Sequence, residues 1–260
     1  MMQSAGPRLD AIHSGKTHVV SRWRAAVLLA LLLGSLLYLL SWPPFGQELA
    51  YHQFVDTRSY FGIPRALDVL SNLPFLLIGV LGIWQCRQLP ALSWRLPWQV
   101  FFVGVALVGI GSAYYHWAPD NDRLVWDRIP MTVGFMGLVM ALLAEQVSER
   151  AARWLLWPAV LIGVASVGYW FWFDDLRWYY WVQLAPMLVI VAMQVLFAPA
   201  YSHRSVLLVT LGLYLSAKYA EFHDAGLYAL AGISGHTVKH LLAAAACASV
   251  LLMLHWRRRL

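Results

Sequence analysis

The sequence predicts an all-α protein, a polytopic bundle of transmembrane helices. Hydrophobic residues make up 60% of the 260 residues and charged residues only 12%, about half of the charged fraction that soluble domains usually carry. The charges lie in short clusters between long apolar runs, and each run approaches the ~20 residues that a helix needs to cross a bilayer core. Helices are the expected spanning form because backbone polar groups cannot stay unpaired in lipid.

The first apolar run is expected to be an extra helix before a core of seven. Arg22 and Arg24 precede "AAVLLALLLGSLLYLLSW", which resembles a signal sequence. Because no A-x-A cleavage motif follows, we interpret this run as an uncleaved helix. The expected organisation is a tail at 1–24, the extra helix at 25–41 and one domain at 42–260. The expected spans are 25–41, 68–86, 97–117, 128–146, 153–172, 178–198, 204–222 and 232–256.

The charges between these segments predict the orientation of the chain. Basic residues dominate both termini and every second loop, and acidic residues mark the other loops. The positive-inside rule then places both termini in the cytoplasm. The basic residues separate apolar segments and form no patch with interleaved polar residues, so nucleic acid is not an expected partner. The basic residues of the termini and of these loops are Arg8, Lys16, Arg22, Arg24, Arg87, Arg95, Arg150, Arg153, Arg204, Arg257, Arg258 and Arg259.

This topology brings several polar side chains to one level of the membrane. The third predicted helix ends outside with Ser112 and His116, and the fourth begins there with Asp127 in its first turn. The last helix also begins outside and carries His236 and His240 in its first turns. Ionisable residues inside a membrane are costly and are candidates for function. Three imidazoles, a carboxylate and a hydroxyl are therefore expected to share one site.

The spacing of these residues is typical of a metal site. His236 and His240 are four residues apart and lie on one helix face. Three neutral imidazoles form a tetrahedral zinc site with one open position, as in catalytic zinc sites, where zinc lowers the pKa of its bound water to about 7. The helix N-terminus favours an anion at Asp127, which would act as the base. Ser112 would hydrogen-bond the water or the developing oxyanion.

Each part of this pattern also has a simpler explanation. Histidines at this spacing occur without a metal, and the hydroxyl of Ser112 can bond back to its own helix. Asp127 can cap the fourth helix or pair with Arg123 or Arg128. The hypothesis of a zinc site therefore depends on the three histidines occurring together with Ser112 and Asp127, and on all five residues lying at one depth in the membrane.

Three further polar residues are weaker candidates. Glu221, His223 and Asp224 end the seventh helix on the same side, where they could line the pocket or hydrogen-bond the metal ligands. The alternative is an interfacial loop in which Lys218 pairs with Glu221. Lys239 is expected to reach the membrane interface or to pair with a carboxylate.

These motifs together resemble the signature of the alkaline ceramidases. "SAYYH", "WDRIPM" and "HTVKH" follow in that order and are similar to the family pattern S-x3-H, D-x-x-P-M and H-x3-H. The pattern marks a superfamily of seven-helix membrane hydrolases that includes the adiponectin and progestin receptors. "DVLSNLPFLLIG" (68–79) resembles the first helix of the ceramidase core, and the resemblance runs from about residue 50 to the C-terminus.

The resemblance implies a seven-helix bundle that hydrolyses the amide of a ceramide to a fatty acid and a sphingoid base. It implies that His116, His236 and His240 bind zinc and that Ser112 and Asp127 contact its water. The helix at 25–41 is then an addition, and the orientation of the core agrees with the ceramidases and not with the inverted receptors.

The resemblance does not extend to calcium. Animal alkaline ceramidases carry an acidic calcium-binding segment before the first core helix. The equivalent "YHQFVDTRSYFGIPRALD" contains Asp56 and Asp68 but also Arg58 and Arg65, so a calcium site is not predicted. The short chain with its added helix resembles a bacterial member of the family. We therefore expect a bacterial inner-membrane protein with its site toward the periplasm, whose partners are the bilayer and a ceramide-like N-acyl lipid. The sequence indicates no protein partner.

Two other functions fit the same residues. A receptor-like protein would sense a lipid and keep zinc for structure. A haem-binding membrane protein would use His116 with His236 or His240 as axial ligands, and it would need neither Ser112 nor Asp127.

Overall fold

A computed structural model describes residues 22–89 and 95–260. Within these residues the chain forms ten α-helices, one short 3-10 turn at Leu49–His52 and no β-strand, so the predicted all-α bundle is confirmed. The predicted tail at 1–24, with Arg8 and Lys16, lies almost entirely outside the described residues. The helices are α1 (Arg22–Leu40), α2 (Ala66–Leu70), α3 (Leu73–Gln88), α4 (Arg95–Trp117), α5 (Asn121–Gln146), α6 (Glu149–Phe173), α7 (Arg177–Leu196), α8 (Val206–Phe222), α9 (Asp224–Ala231) and α10 (Gly235–Trp256).

Seven segments of the described chain are long and apolar enough to cross a membrane. They are α1, α2 with α3 as one segment (Ala66–Gln88), α4, α5, α6, α7 and α10. α8, which corresponds to the predicted span 204–222, has 17 residues and packs along α10. Its length of about 26 Å at 1.5 Å per residue is close to the thickness of a bilayer core, so its crossing of the membrane stays a prediction.

Small residues bring α4 and α5 into backbone contact. A Cβ atom at Gly111 of α4 would meet the carbonyl oxygen of Trp126 in α5, and Gly104 of α4 lies equally close to the α5 backbone. Small residues allow this close approach between membrane helices, where dispersion and not the hydrophobic effect holds them together. The contact lies beside Ser112 and Asp127 and fixes their relative position.

α5 begins about two turns earlier than the span 128–146 that the sequence pattern predicted. The helix starts at Asn121, and the carboxylate of Asp120 caps it by accepting the backbone N–H of Arg123 at 2.7 Å. Asp127 is therefore the seventh residue of the helix, so the prediction that it lies in the first turn was wrong. Because the helix dipole acts within the first turn, it does not hold a charge on Asp127.

The first turn of α10 is anchored to α2 by a buried carboxylate. Ser234 caps α10 by accepting the backbone N–H of Thr237 at 3.0 Å. One oxygen of Asp68 accepts the hydroxyls of Ser234 at 3.0 Å and of Thr237 at 2.6 Å. These three bonds set the position of the histidines that follow on α10.

The segment after α1 crosses the end of the bundle that carries these histidines. α1 packs against α7, and the guanidinium of Arg177 donates to the carbonyl of Trp42 at 2.8 Å. The backbone N–H of Gln47 donates to the carboxylate of Asp174 at 2.9 Å. The extra helix and its loop are thereby tied to the turn between α6 and α7.

Candidate metal centre

Three imidazoles meet in the interior of the bundle. His116 lies in the last turn of α4, and His236 and His240 lie in the first turns of α10. One nitrogen of each lies within 4.8 Å of the others, and the Nε2 atoms of His116 and His236 are 3.2 Å apart. The side chains are between 1% and 4% exposed. A buried set of three imidazoles fits a single zinc ion with one coordination position left open.

Ser71 at the α2–α3 junction orients His240. Its Oγ lies 2.8 Å from Nδ1 of His240 and 3.0 Å from the carbonyl oxygen of Asp68. The hydroxyl proton goes to the carbonyl, so Oγ accepts the Nδ1–H of the imidazole and leaves Nε2 without a proton. Such a partner fixes the tautomer and the direction of a ligating histidine. No spacing or motif indicated a role for Ser71, although it lies in the segment 68–79 that resembles the first helix of the ceramidase core.

Two of the weaker candidates contact the surroundings of His236. The carboxylate of Asp224 accepts the backbone N–H of His236 at 3.0 Å. The ammonium of Lys239 lies 3.2 Å from Nε2 of His236 and donates to Glu221 at 2.7 Å. Glu221 also pairs with Lys218 at 2.9 Å. Glu221 therefore pairs with Lys218, as in the interfacial-loop alternative, and Lys239 pairs with a carboxylate.

His223 points away from the metal centre. Its ring is exposed and stacks on Tyr219 with 4.1 Å between the centroids, and its Nδ1 lies 2.9 Å from the carbonyl of Tyr219. The structure does not bring His223 together with the other candidates.

Ser112 and Asp127 form a buried pair beside the imidazoles. The hydroxyl of Ser112 hydrogen-bonds the carboxylate of Asp127, and the two residues are 2% and 8% exposed. Arg123 pairs instead with Asp120, and Arg128 contacts Trp170. Asp127 thus neither caps its helix nor pairs with a neighbouring arginine, and its carboxylate remains available for chemistry.

Aromatic side chains cover the metal centre. The ring of Phe54 lies edge-on to His116 and His236, with centroids 4.7 and 4.5 Å apart. His52, to which the sequence analysis assigned nothing, lies 2.9 Å from the hydroxyl of Tyr115 through its Nδ1. No local pattern at 52–54 predicted this cover, because its contacts depend on how the loop crosses the bundle.

A long apolar cavity extends from these residues into the bundle. Ser112, Asp127 and His240 line one end of it, and the space between atoms, including the open side, is about 1500 Å³. Apolar side chains of α4, α5, α7, α8 and α10 form most of the remaining wall. The cavity can hold a hydrocarbon chain whose polar end lies at the imidazoles.

The two carboxylates of the segment 51–68 each accept hydrogen bonds from protein groups. Asp56 accepts two bonds from the guanidinium of Arg58, at 2.8 and 2.7 Å. Arg58 thereby holds the pKa of Asp56 below its usual value. Asp68 accepts the two α10 hydroxyls described above.

Comparison with known proteins gives one match. The sequence profile of the family described as Ceramidase matches residues 63–218, which is more than half of the chain. The matched region contains Ser71, Ser112, His116 and Asp127, and it ends before α10. No curated protein and no solved structure is significantly similar to the chain.

Proposed function

The chain belongs to the ceramidase family, and on this premise we propose that it is an integral membrane hydrolase that cleaves the amide bond of ceramide-like N-acyl lipids. The products are a fatty acid and an amine, a sphingoid base where the lipid is a ceramide. The observation that carries the proposal is the position of the three buried imidazoles beside the Ser112–Asp127 pair, at one end of an apolar cavity.

We propose that His116, His236 and His240 hold a zinc ion. The orientation of His240 by Ser71 and the neutral, buried donor set support this metal. Zinc, when bound, polarises a carbonyl group and lowers the pKa of a coordinated water to about 7.

Asp127 is the proposed acid–base residue. Its carboxylate accepts the proton of the attacking water while the water oxygen bonds to the amide carbon. It then gives that proton to the nitrogen as the C–N bond breaks, so the amine leaves neutral. Ser112 donates its hydroxyl proton to the carboxylate of Asp127. Once Asp127 has taken the proton of the water, the hydroxyl can turn and donate to the developing oxyanion.

The lipid is proposed to enter sideways from the membrane. Within the described residues, α8 packs on α10 and α9 but makes no extended contact with α7. Val195 of α7 and Leu208 of α8 line the cavity and are 79% and 65% exposed. These apolar side chains would contact lipid tails in a bilayer, so an acyl chain can pass between the two helices without crossing water.

The protein is further proposed to lie in a bacterial inner membrane, with both termini in the cytoplasm and the metal centre toward the periplasm. The alternating loop charges support this orientation. A green fluorescent protein fused to the C-terminus should fluoresce in bacterial cells. A dark fusion that is nevertheless full-length and membrane-bound would reverse the assignment.

The haem alternative is disfavoured by the packing of the imidazoles. His116 and His236 have their Nε2 atoms 3.2 Å apart, and Phe54 lies against both rings. A porphyrin bound by His116 with His236 or His240 would have to separate ring pairs whose centroids lie 4.7 and 4.8 Å apart, and it would have to displace Phe54. A receptor-like protein would share the metal centre but would not turn over an N-acyl lipid.

Metal analysis of the purified full chain, together with an assay for hydrolysis of a fluorescent ceramide, tests the proposal. Wild type should contain one zinc per chain, and His236→Ala should lose both zinc and activity. His255→Ala, an exposed histidine near the end of α10, is the matched control and should keep both. Absence of zinc from wild type would refute the metal centre. Zinc without hydrolysis of any N-acyl lipid would favour the receptor-like alternative.

A further inference from the structure

A buried arginine lies next to the acid–base residue and has no carboxylate partner. Arg128 is 5% exposed, and none of the ion pairs in the described part of the chain includes it. Its Nη2 donates to the side-chain oxygen of Gln47, and its Nη1 has no acceptor among the described residues. An uncompensated buried charge is strongly unfavourable.

A second unsatisfied donor lies against this guanidinium. Trp170 is 1% exposed, and its Nε1–H also lacks an acceptor among the residues described. The guanidinium carbon of Arg128 lies 4.1 Å from the centre of the Trp170 ring. Both groups donate hydrogen bonds and accept none. The two side chains therefore lack, within residues 22–89 and 95–260, a group whose oxygen atoms would accept their remaining hydrogen bonds.

The surrounding charges favour an anion. Lys218 and Lys239 share the single carboxylate of Glu221, at 2.9 and 2.7 Å. The hydroxyl of Tyr51 lies 3.5 Å from Glu221, and the ring of Tyr51 lies 5.8 Å from the Arg128 guanidinium. One tyrosine therefore separates Arg128 from a cluster that is itself positive.

Two side chains, Tyr179 and Met131, connect the pair to the lipid cavity. Arg128 lies over the ring of Tyr179 at 4.6 Å, and the hydroxyl of Tyr179 contacts the sulfur of Met131 at 4.0 Å. Met131 lines the cavity. Asp127, which precedes Arg128 in α5, also lines this cavity. A lipid whose amide lies at Asp127 therefore has its head group at the same end of α5 as Arg128, and a head group that moves the Tyr179 side chain aside reaches the guanidinium.

We propose that Arg128 and Trp170 bind an anionic oxygen group on the head group of the substrate, so that the preferred N-acyl lipid bears a phosphate, sulfonate or carboxylate near its amide. The anion displaces the amide oxygen of the half-buried Gln47, because a charged acceptor binds a guanidinium more strongly than a neutral one. The planar guanidinium offers two parallel donors to such a group. This inference rests on the proposed amide hydrolysis.

The test compares two substrates that differ only in this group. The full chain, in nanodiscs of neutral phosphatidylcholine, is assayed with a ceramide and with its 1-phosphate of the same acyl chain. We expect kcat/KM to be roughly tenfold to a hundredfold higher for the phosphate, which is the range for a hydrogen bond to a charged group. Arg128→Gln should bring the ratio of the two kcat/KM values close to one. A wild-type ratio of one or below would overturn the proposal, and so would an unchanged ratio in Arg128→Gln.

Further variants separate recognition from folding. Trp170→Phe keeps the ring and removes only the N–H, and we expect it to lower the ratio severalfold. Arg123→Gln removes a charge from the same end of α5, and Trp172→Phe changes an exposed tryptophan of α6. Both controls should keep the wild-type ratio. A ratio that falls equally in the controls would refute a specific role for Arg128 and Trp170.

The remaining measurements show whether the anion belongs to the substrate or to the bilayer. They also decide this inference if the protein hydrolyses neither lipid. If wild type shows no preference in neutral lipid, but added phosphatidylglycerol accelerates the hydrolysis of both substrates in wild type and not in Arg128→Gln, the anion belongs to the bilayer and the proposal is overturned. If wild type hydrolyses neither lipid, the proposed function fails, and direct binding decides this inference. The 1-phosphate should then bind wild type at least tenfold more tightly than Arg128→Gln, and equal affinities would refute it.

Discussion

The hydroxyl oxygen of Ser71 lies 2.8 Å from Nδ1 of His240, although 169 residues separate them in the chain. The serine gives its own proton to the carbonyl of Asp68, so it can only accept from the imidazole. This bond selects the tautomer whose Nε2 lone pair is free to bind a metal. Ser71, at the junction of α2 and α3, thus orients His240, a proposed metal ligand on α10.

Removing this hydroxyl should weaken the metal site. Ser71→Ala leaves His240 free to rotate and to change tautomer, and loss of such a partner costs about 10-fold to 100-fold in metal affinity or activity. A competition titration with a zinc chelator measures the change. Ser166→Ala removes a buried hydroxyl that bonds only its own helix and should bind zinc like wild type. Wild-type affinity in Ser71→Ala would contradict the orienting role.

Neutralising Asp127 should stop turnover without removing the metal. Asp127→Asn keeps a hydrogen-bond partner for Ser112 but cannot accept a proton, so kcat should fall by about 10²-fold to 10⁴-fold. Zinc content and kcat are measured on the same preparation. Asp122→Asn, an exposed position in the first turn of α5, serves as the control. A fully active Asp127→Asn enzyme would show that another group is the base.

Filling the cavity should change the preferred acyl length. Ala246 lines the cavity six residues beyond His240, which is about 9 Å along α10 at 1.5 Å per residue. In Ala246→Phe, kcat/KM for long-chain substrates should fall at least tenfold, whereas substrates with two to six acyl carbons should be hydrolysed as by wild type. The neighbouring Ala245 is exposed, and Ala245→Phe should keep the wild-type profile. The same loss for short and long chains would argue against an acyl-chain site there.

The anchor between α2 and α10 should matter for stability. Asp68→Ala leaves the hydroxyl of Thr237 without its acceptor, whereas Ser234 can still donate to Oγ1 of Thr237 at 2.9 Å. An unsatisfied buried group costs about 1–3 kcal/mol. Thermal unfolding in detergent should show a lower Tm than in wild type. Asp122→Ala is the surface control, and equal Tm values in the two variants would mean that the anchor contributes nothing.

Much of the architecture follows from local patterns in the sequence. Apolar runs of membrane length predicted the helices, since lipid leaves the backbone few other choices. The four-residue spacing of His236 and His240, and their common level with His116, predicted that the three imidazoles would meet. The loop charges alternate along the whole chain and thereby indicate which helix ends lie at the outer face. The common level of the three histidines therefore did not depend on any single motif.

Two features escaped prediction for physical reasons. Hydropathy detects only the apolar part of a helix, so it missed the polar first turn of α5, which the cap at Asp120 does mark in "PDND". Ser71, Phe54 and Arg128 act through partners far away in the chain, such as His240 and Trp170. Those contacts arise from packing of helices against each other, and composition or spacing carries no signal of them.

The backbone contact between Gly111 and Trp126 has a consequence for how the membrane itself acts on this protein. α4 and α5 tilt together as one body, so His116, Ser112 and Asp127 keep their mutual positions. α10 packs on α8 and α3 and is joined to α4 mainly through α2 and α3, so it is held to this body less directly than α5 is. A bilayer of unsuitable thickness makes helices tilt, and it would change the distance between His116 and the α10 histidines while leaving the Ser112–Asp127 pair intact. We therefore expect the length of the surrounding lipid tails to change the distances between the three imidazoles before it changes the Ser112–Asp127 pair.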